Sequence, residues 1–155
     1  MMHACDDHKT CVVEALKKAD AICRDKSLRF TALRRKVLAM IWENHRPAKA
    51  YDILDKLKES NASAKPPTVY RTLDFLLENG LIHKLDSLNA YVGCLHPLEH
   101  DECYFLICNK CGETKECCNG NLDQVITETA KKNKFHPVQT TLEIKGECQQ
   151  CLQKK

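Results

Sequence analysis

No apolar run in the 155-residue chain approaches the roughly 18 residues of a membrane-spanning helix, so no such span is expected. The start, Met1-Met2-His3-Ala4-Cys5-Asp6-Asp7, lacks a basic end followed by an apolar stretch, and an exported protein is not expected either. Net charge is also scarce: 24 Lys and Arg against 21 Asp and Glu leave +3, too little to name a partner. No HExxH, no nucleophile–base pair and no phosphate-binding glycine loop is present, which removes the usual grounds for an enzyme. What remains is a chain with 43 % apolar and 29 % charged residues, enough for a real core, and eleven cysteines. An odd cysteine count without an export signal points away from a disulfide framework. It predicts thiolates kept reduced in the cytoplasm and available to metal.

Charge and cysteine divide the chain unequally. Residues 1–93 carry a net +4 and three cysteines, whereas residues 94–155 carry a net −1 and eight. Two different devices are implied, one mildly basic and one rich in metal-ligand side chains.

In the first device Val12, Val13, Leu16, Ala19 and Ile22 recur at near-helical spacing and predict an amphipathic helix over about Thr10–Lys26. Thr31 is the expected N-cap of a second, with Leu33, Val37, Leu38 and Ile41 on one face. Ala50, Ile53, Leu54 and Leu57 predict a third. A fourth opens at Pro66-Pro67-Thr68, carries Val69, Leu73, Leu76 and Leu77, and stops at Asn79-Gly80. Leu81–Asp86 and Ala90–Gly93 then alternate about a Ser87-Leu88-Asn89 turn, as a hairpin does. Three helices followed by a hairpin spell a winged helix-turn-helix.

On the fourth helix Arg71 lies nearly opposite the apolar stripe, Tyr70 flanks the exposed face, and Lys65 precedes the first turn. A helix N-terminus favours phosphate through its free N–H groups, and an arginine there reaches a guanine edge or a phosphate. Arg34, Arg35 and Lys36 are expected to be the solvated face of the second helix.

The second device reads as a small α/β unit: strands over Tyr104–Ile107 and Glu113–Cys117, a helix over Asn119–Asn133, and a strand over Val138–Ile144. Two CxxC knuckles, Cys108/Cys111 and Cys148/Cys151, bracket it. Four thiolates in two such pairs suit a closed tetrahedral Zn²⁺ site, whose binding energy supports a domain too small for a thick core. The 36 residues between the knuckles exceed the compact ribbon spacing, but the intervening strand–helix–strand folds back to join them. A redox CxxC is the competing reading, and the second knuckle counts against it. Outside the knuckles, His83, Cys94, His96, His100 and Glu116 straddle the junction of the halves. A mixed N/S/O site drawn from both would form in one relative orientation only, so metal free energy would become conformational free energy.

Lys65-Pro66-Pro67-Thr68-Val69-Tyr70-Arg71-Thr72-Leu73-Asp74-Phe75-Leu76-Leu77, then Gly80-Leu81-Ile82-His83-Lys84, then the two knuckles, resembles the ferric uptake regulator superfamily. The Lys-Pro-Pro-Thr-Val-Tyr-Arg run is most similar to its zinc-sensing branch, and the likeness extends from about Leu16 to Cys151. The resemblance implies an α+β fold: a winged helix-turn-helix domain over 1–93, a hinge over 94–103, and a zinc-stabilised α/β dimerisation domain over 104–155. It further implies a cytoplasmic homodimer that binds inverted-repeat operator DNA when loaded with zinc and represses zinc-uptake genes. No catalysis, membrane or small-molecule substrate is implied, and two zinc ions per subunit are.

Carried over by position, structural zinc falls on Cys108, Cys111, Cys148 and Cys151, and regulatory zinc on His83, Cys94, His100 and Glu116. Tyr51, Lys65, Thr68, Tyr70 and Arg71 are the positions expected to face DNA. The chain departs from iron-sensing relatives before the first knuckle, which leaves His96 and Cys103 as substitutes for His100. Cysteine in the regulatory set favours Zn²⁺ over the harder Fe²⁺ and Mn²⁺. The alternatives are a relative that responds to iron, manganese or peroxide, and, in another class, a zinc-dependent hydrolase with Glu116 as base or ligand. Cys23 is expected to pack in the core and Cys5 and Cys11 to lie in a frayed N-terminus, while Cys117 and Cys118, beside Glu116, are candidates to tune or compete for the regulatory metal.

Overall fold

The computed structural model describes residues 8–43, 46–98, 103–118, 120–138 and 140–154. They fall into two compact units that divide between Pro97 and Leu98.

The first unit holds α1 (His8–Asp25), α2 (Ala32–Trp42), α3 (Ala50–Ser60), α4 (Pro66–Glu78), β1 (Ile82–Leu85) and β2 (Ala90–Gly93). Each helix begins where its chemistry allows. Thr31 caps α2 by accepting the Arg34 N–H at 3.3 Å, and the prolines of α4 occupy first-turn positions whose N–H groups have no partner in a helix. The stop of α4 is equally determined. Gly80 turns left-handed at φ 67°, its N–H donates to Leu77 O, and the Leu81 N–H donates back to Leu76 O at 2.9 Å. That paired closure satisfies two orphan carbonyls and aims the chain into the hairpin.

Val37, Leu38 and Ile41 of α2, Ile53, Leu54 and Leu57 of α3, and Val69, Leu73 and Leu76 of α4 meet in one core. Ala19 and Cys23 of α1 close it, which gives Cys23 the packing role expected of it. The hairpin pairs Ile82 with Gly93 and Leu85 with Ala90, and Ala48 adds an antiparallel bridge to Tyr91. Three helices with a β-wing make this a winged helix.

Gly93 is there because of a close approach. A Cβ at this position would lie 2.2 Å from Trp42 Cε2, well inside contact distance. Gly93→Ala is therefore expected to push the indole from its seat and cost about 1–3 kcal/mol by overpacking. Trp42 is the only tryptophan, so a red-shifted emission together with a lowered melting temperature is the expected record.

The second unit holds β3 (Cys103–Cys108), β4 (Thr114–Cys118), α5 (Gly120–Lys132), β5 (Glu143–Gly146) and α6 (Gln149–Gln153). Its sheet has the order β4-β3-β5, with β3 antiparallel to β4 and parallel to β5 across the α5 crossover. Three expectations need correction. The last strand begins at Glu143 rather than Val138, because among the described residues it pairs with β3 alone and that ladder starts at Phe105↔Glu143. Val138, beyond the ladder, is 94 % exposed. The second knuckle leads into a short helix, α6, that periodicity over five residues cannot announce. Finally, Cys103 and Cys118 form a disulfide, where reduced thiols were expected. The register puts them directly opposite one another, which linear spacing does not display.

Among the described residues of this unit only Phe105, Ile107 and Cys108 are buried, and α5 has no buried residue at all. Val125, Ile144 and Leu152 are large apolar side chains left about half exposed. The unit lacks the apolar burial to hold itself together.

Candidate metal centre and nucleic-acid interface

The four knuckle cysteines converge. Cys108 ends β3, Cys111 lies in the turn that follows, Cys148 caps α6 and Cys151 sits within it. Strand pairing closes the long sequence gap: β5 runs beside β3 as far as Cys108↔Gly146, and the Asn109 N–H donates to Gly146 O at 2.8 Å. The second knuckle is thereby delivered beside the first. Gly112, at φ 74°, makes the left-handed turn that folds Cys111 back, with its N–H on Cys108 O.

All four Sγ atoms lie within 4.8 Å of one another, and Cys111 Sγ stands 3.7 Å from Cys148 Sγ. A tetrahedron with Zn–S bonds of about 2.3 Å has S···S edges of roughly 3.8 Å, so the spacing fits zinc. The electrostatics fit as well. N–H groups of Cys111 and Cys148 point at Cys108, the latter at 3.3 Å, and bring its thiol down to about 6. Cys151 is pushed up to about 12 by its hydrogen bond with Cys148, by loss of hydration, and by the other sulfurs around it. Backbone donors therefore favour the thiolate at Cys108, while the neighbouring sulfurs oppose it at Cys151. Further ionisation in so small a volume requires a positive charge at its centre, which a divalent cation supplies.

The other predicted ligands are placed as follows. His83 on β1 is 8 % exposed and Cys94, directly after β2, is 3 % exposed. The Cys94 N–H donates to Leu81 O at 3.1 Å, which extends the hairpin by one rung and sets Cys94 diagonally across from His83. Their ligand atoms lie within 4.8 Å of each other. A buried imidazole beside a buried thiol, at the base of the wing, is an unusual use of core volume. Glu116, half-buried on β4, has Cys103 and Cys118 within the same distance. Cys103 is disulfide-bonded and so is not a thiolate ligand in this state. His96 is exposed, and His100 lies outside the described residues.

Around α4 the predicted DNA-facing side chains all reach solvent: Lys65, Thr68, Tyr70 and Arg71 are exposed, and Tyr51 at the start of α3 is 70 % exposed. The cations of α2 are occupied instead. Arg34 lies over the Phe75 ring at 3.4 Å, Arg35 makes a two-pronged ion pair with Asp20 at 2.8 and 2.6 Å, and Lys36 hydrogen-bonds Ser60. That pair holds the Asp20 carboxyl below the ordinary carboxylate range. On α4, Arg71 is the one basic residue within the helix, and Lys65 stands at its N-cap.

The sequence profile of the ferric uptake regulator family matches residues 25–145. The zinc uptake regulation protein of Escherichia coli (strain K12) is 39 % identical over 148 residues, covering 94 % of this chain and 85 % of that one. A zinc uptake regulator solved in complex with zinc and DNA superposes with a TM-score of 0.84 at 37 % identity, over 92 % of this chain and 95 % of that one. Holo XcZur gives a TM-score of 0.83 at 38 % identity, over 89 % of this chain and 96 % of that one.

Proposed function

This chain belongs to the ferric uptake regulator family, and on that footing we propose that it is a zinc-responsive transcriptional repressor. It is a regulator rather than an enzyme. Loaded with zinc, a homodimer binds inverted-repeat operator DNA and silences zinc-uptake genes in the cytoplasm. Among the described residues no helix is long and apolar enough to cross a membrane.

The observation that carries the reading is the buried His83–Cys94 pair in the wing of a DNA-binding fold. A soft sulfur and a borderline nitrogen together suit zinc better than iron or manganese. With His100 and Glu116 they make up the proposed regulatory set, and the four knuckle cysteines hold a second, structural zinc, giving two per subunit. The zinc supplies a charge that four donors share. His83 and Cys94 would hold it on the hairpin that leads directly out of α4, and His100 and Glu116 are the further ligands the family resemblance implies. Domains follow accordingly: 1–93 reads DNA, 94–103 is the hinge, and 104–155 dimerises. The thin core and exposed Val125, Ile144 and Leu152 of that last segment support a partner subunit over it.

The test is an operator gel shift at buffered free zinc, iron and manganese. Zinc alone is expected to bring about tight binding. Equal binding with iron or manganese would make the chain a sensor of another metal, and binding unaffected by any metal would remove sensing altogether.

The DNA face makes its own prediction. Arg71→Ala is expected to cost about 1–3 kcal/mol and relax specificity at one base pair if the guanidinium grips a guanine. If it meets phosphate only, binding weakens uniformly and the salt slope shrinks by about one contact. A variant that binds and discriminates as the parent does would place recognition on another face.

A further inference from the structure

The Cys103–Cys118 disulfide has a third group beside it. Cys118 and Glu116 are two residues apart on β4 and so share a face of the sheet, and Cys103 stands opposite Cys118 across the ladder on that face. Glu116 Oε1 lies 3.8 Å from Cys118 Sγ, and one ligand atom from each of the three residues fits within 4.8 Å. All three are half-buried, within reach of solvent and of a small thiol. The set lies wholly in the second unit and is distinct from the four-cysteine cluster.

We propose that Cys103, Glu116 and Cys118 form a thiol-gated site for a thiophilic divalent cation such as Zn²⁺. With the disulfide closed, the site offers one carboxylate. With it open, two sulfurs join that carboxylate, an S₂O donor set that leaves one tetrahedral position for water.

The gate is ordinary thiol–disulfide exchange with a low-molecular-weight thiol as reductant. Its thiolate attacks one sulfur of the pair, forms a mixed disulfide and expels the other cysteine as thiolate. A second thiol then attacks the mixed disulfide, releasing the first cysteine and leaving the reductant as its own disulfide. Two electrons enter the pair and two protons complete the thiols; both protons leave when the cation binds. A pair accessible to such thiols follows the redox state of its surroundings, and so does the site. Because the proposed sensing set also uses Glu116, a cation held here withdraws that carboxylate from sensing. This consequence rests on the function proposed above; the site itself does not.

The site is tested in the full-length Cys94→Ala chain, where the sensing set is incomplete. The protein is loaded with zinc and prepared reduced by a dithiol or oxidised by diamide. After desalting, zinc is counted and the Cys103–Cys118 linkage is read by peptide mass. The reduced form is expected to hold about one zinc equivalent more than the oxidised form. Cobalt in its place should show added thiolate-to-metal charge transfer. Cys103→Ala/Cys118→Ala in the same background is expected to remove the difference, and Cys117→Ala, whose side chain points to the other face, to keep it.

Equal zinc in the two redox states would overturn the proposal even if the double variant failed to fold. So would a redox-dependent equivalent that survives in a folded double variant. Operator binding by the Cys94→Ala chain is read separately: a wild-type zinc response there would end the sensing assignment and leave the zinc count untouched.

Discussion

Cys108→Ser is expected to empty the four-cysteine cluster and leave the second unit without a cooperative fold. The size of the effect follows from how little else holds that unit. Among its described residues the buried apolar side chains are Phe105, Ile107 and Cys108 itself, and its helix α5 buries nothing within the chain. Apparent binding energies of structural zinc reach about 10–16 kcal/mol, whereas whole domains are stable by about 5–15 kcal/mol. Losing the ion thus removes an energy as large as the stability it supports. Serine is close in size but is a poor zinc ligand, and the N–H groups of Cys111 and Cys148 that stabilise the Cys108 thiolate would face a neutral hydroxyl. Calorimetry of the wild-type protein should show transitions from both units. The variant is expected to retain only that of the first, whose helical core does not involve the cluster. It should also lose one zinc per chain and, if the unit dimerises, shift to monomer. Full zinc content with unchanged melting would refute the assignment.

The two units were unequally legible in the sequence, for a physical reason. In the first, local rules and tertiary packing agree. The stripes of α2, α3 and α4 are the faces that meet in the core, Thr31 caps where a threonine should, and Gly80 takes the left-handed turn after Asn79. In the second unit, metal chemistry replaces apolar periodicity. The knuckles announced the cluster, but nothing local fixed where β5 begins, since its start is set by the length of a parallel ladder with β3. The Cys103–Cys118 pair was missed although a signal existed. Once the turn after Cys108 pairs Ile107 with Thr114, counting four residues outward along each strand arrives at both cysteines. The same kind of count brings Cys94 beside His83. Hairpin register is therefore the step between cysteine spacing and ligand geometry. The inclusion of His100 and Glu116 in the regulatory set rests on family resemblance instead.

For the sensing set the expected result is a loss of response without a loss of fold. His83→Ala and Cys94→Ser should each keep the winged helix, the dimer and the four-cysteine zinc, yet abolish zinc-stimulated operator binding. Cys94 belongs to the end of the hairpin through its backbone, and the Cys94 N–H to Leu81 O bond survives a change of side chain. His83→Ala keeps the backbone pairing of His83 with Val92 and removes a buried side chain, which leaves a cavity in the hairpin. Neither change touches the α4 face that carries Tyr70 and Arg71. The functional loss should nonetheless be nearly complete. Swinging a two-state regulator from about 1:99 to 99:1 takes roughly 5.5 kcal/mol of differential binding. A site completed in only one state has that much available, and a site short of one ligand does not. A dimer meets both half-sites of an inverted repeat only when its recognition helices match the groove spacing, so an unbiased hinge yields weak binding at any zinc level. Target genes would then stay expressed in zinc-replete cells while zinc content falls by only one ion per chain. Should both variants repress with a wild-type zinc response, sensing would move to other ligands, with His96 and Cys117 the next to substitute.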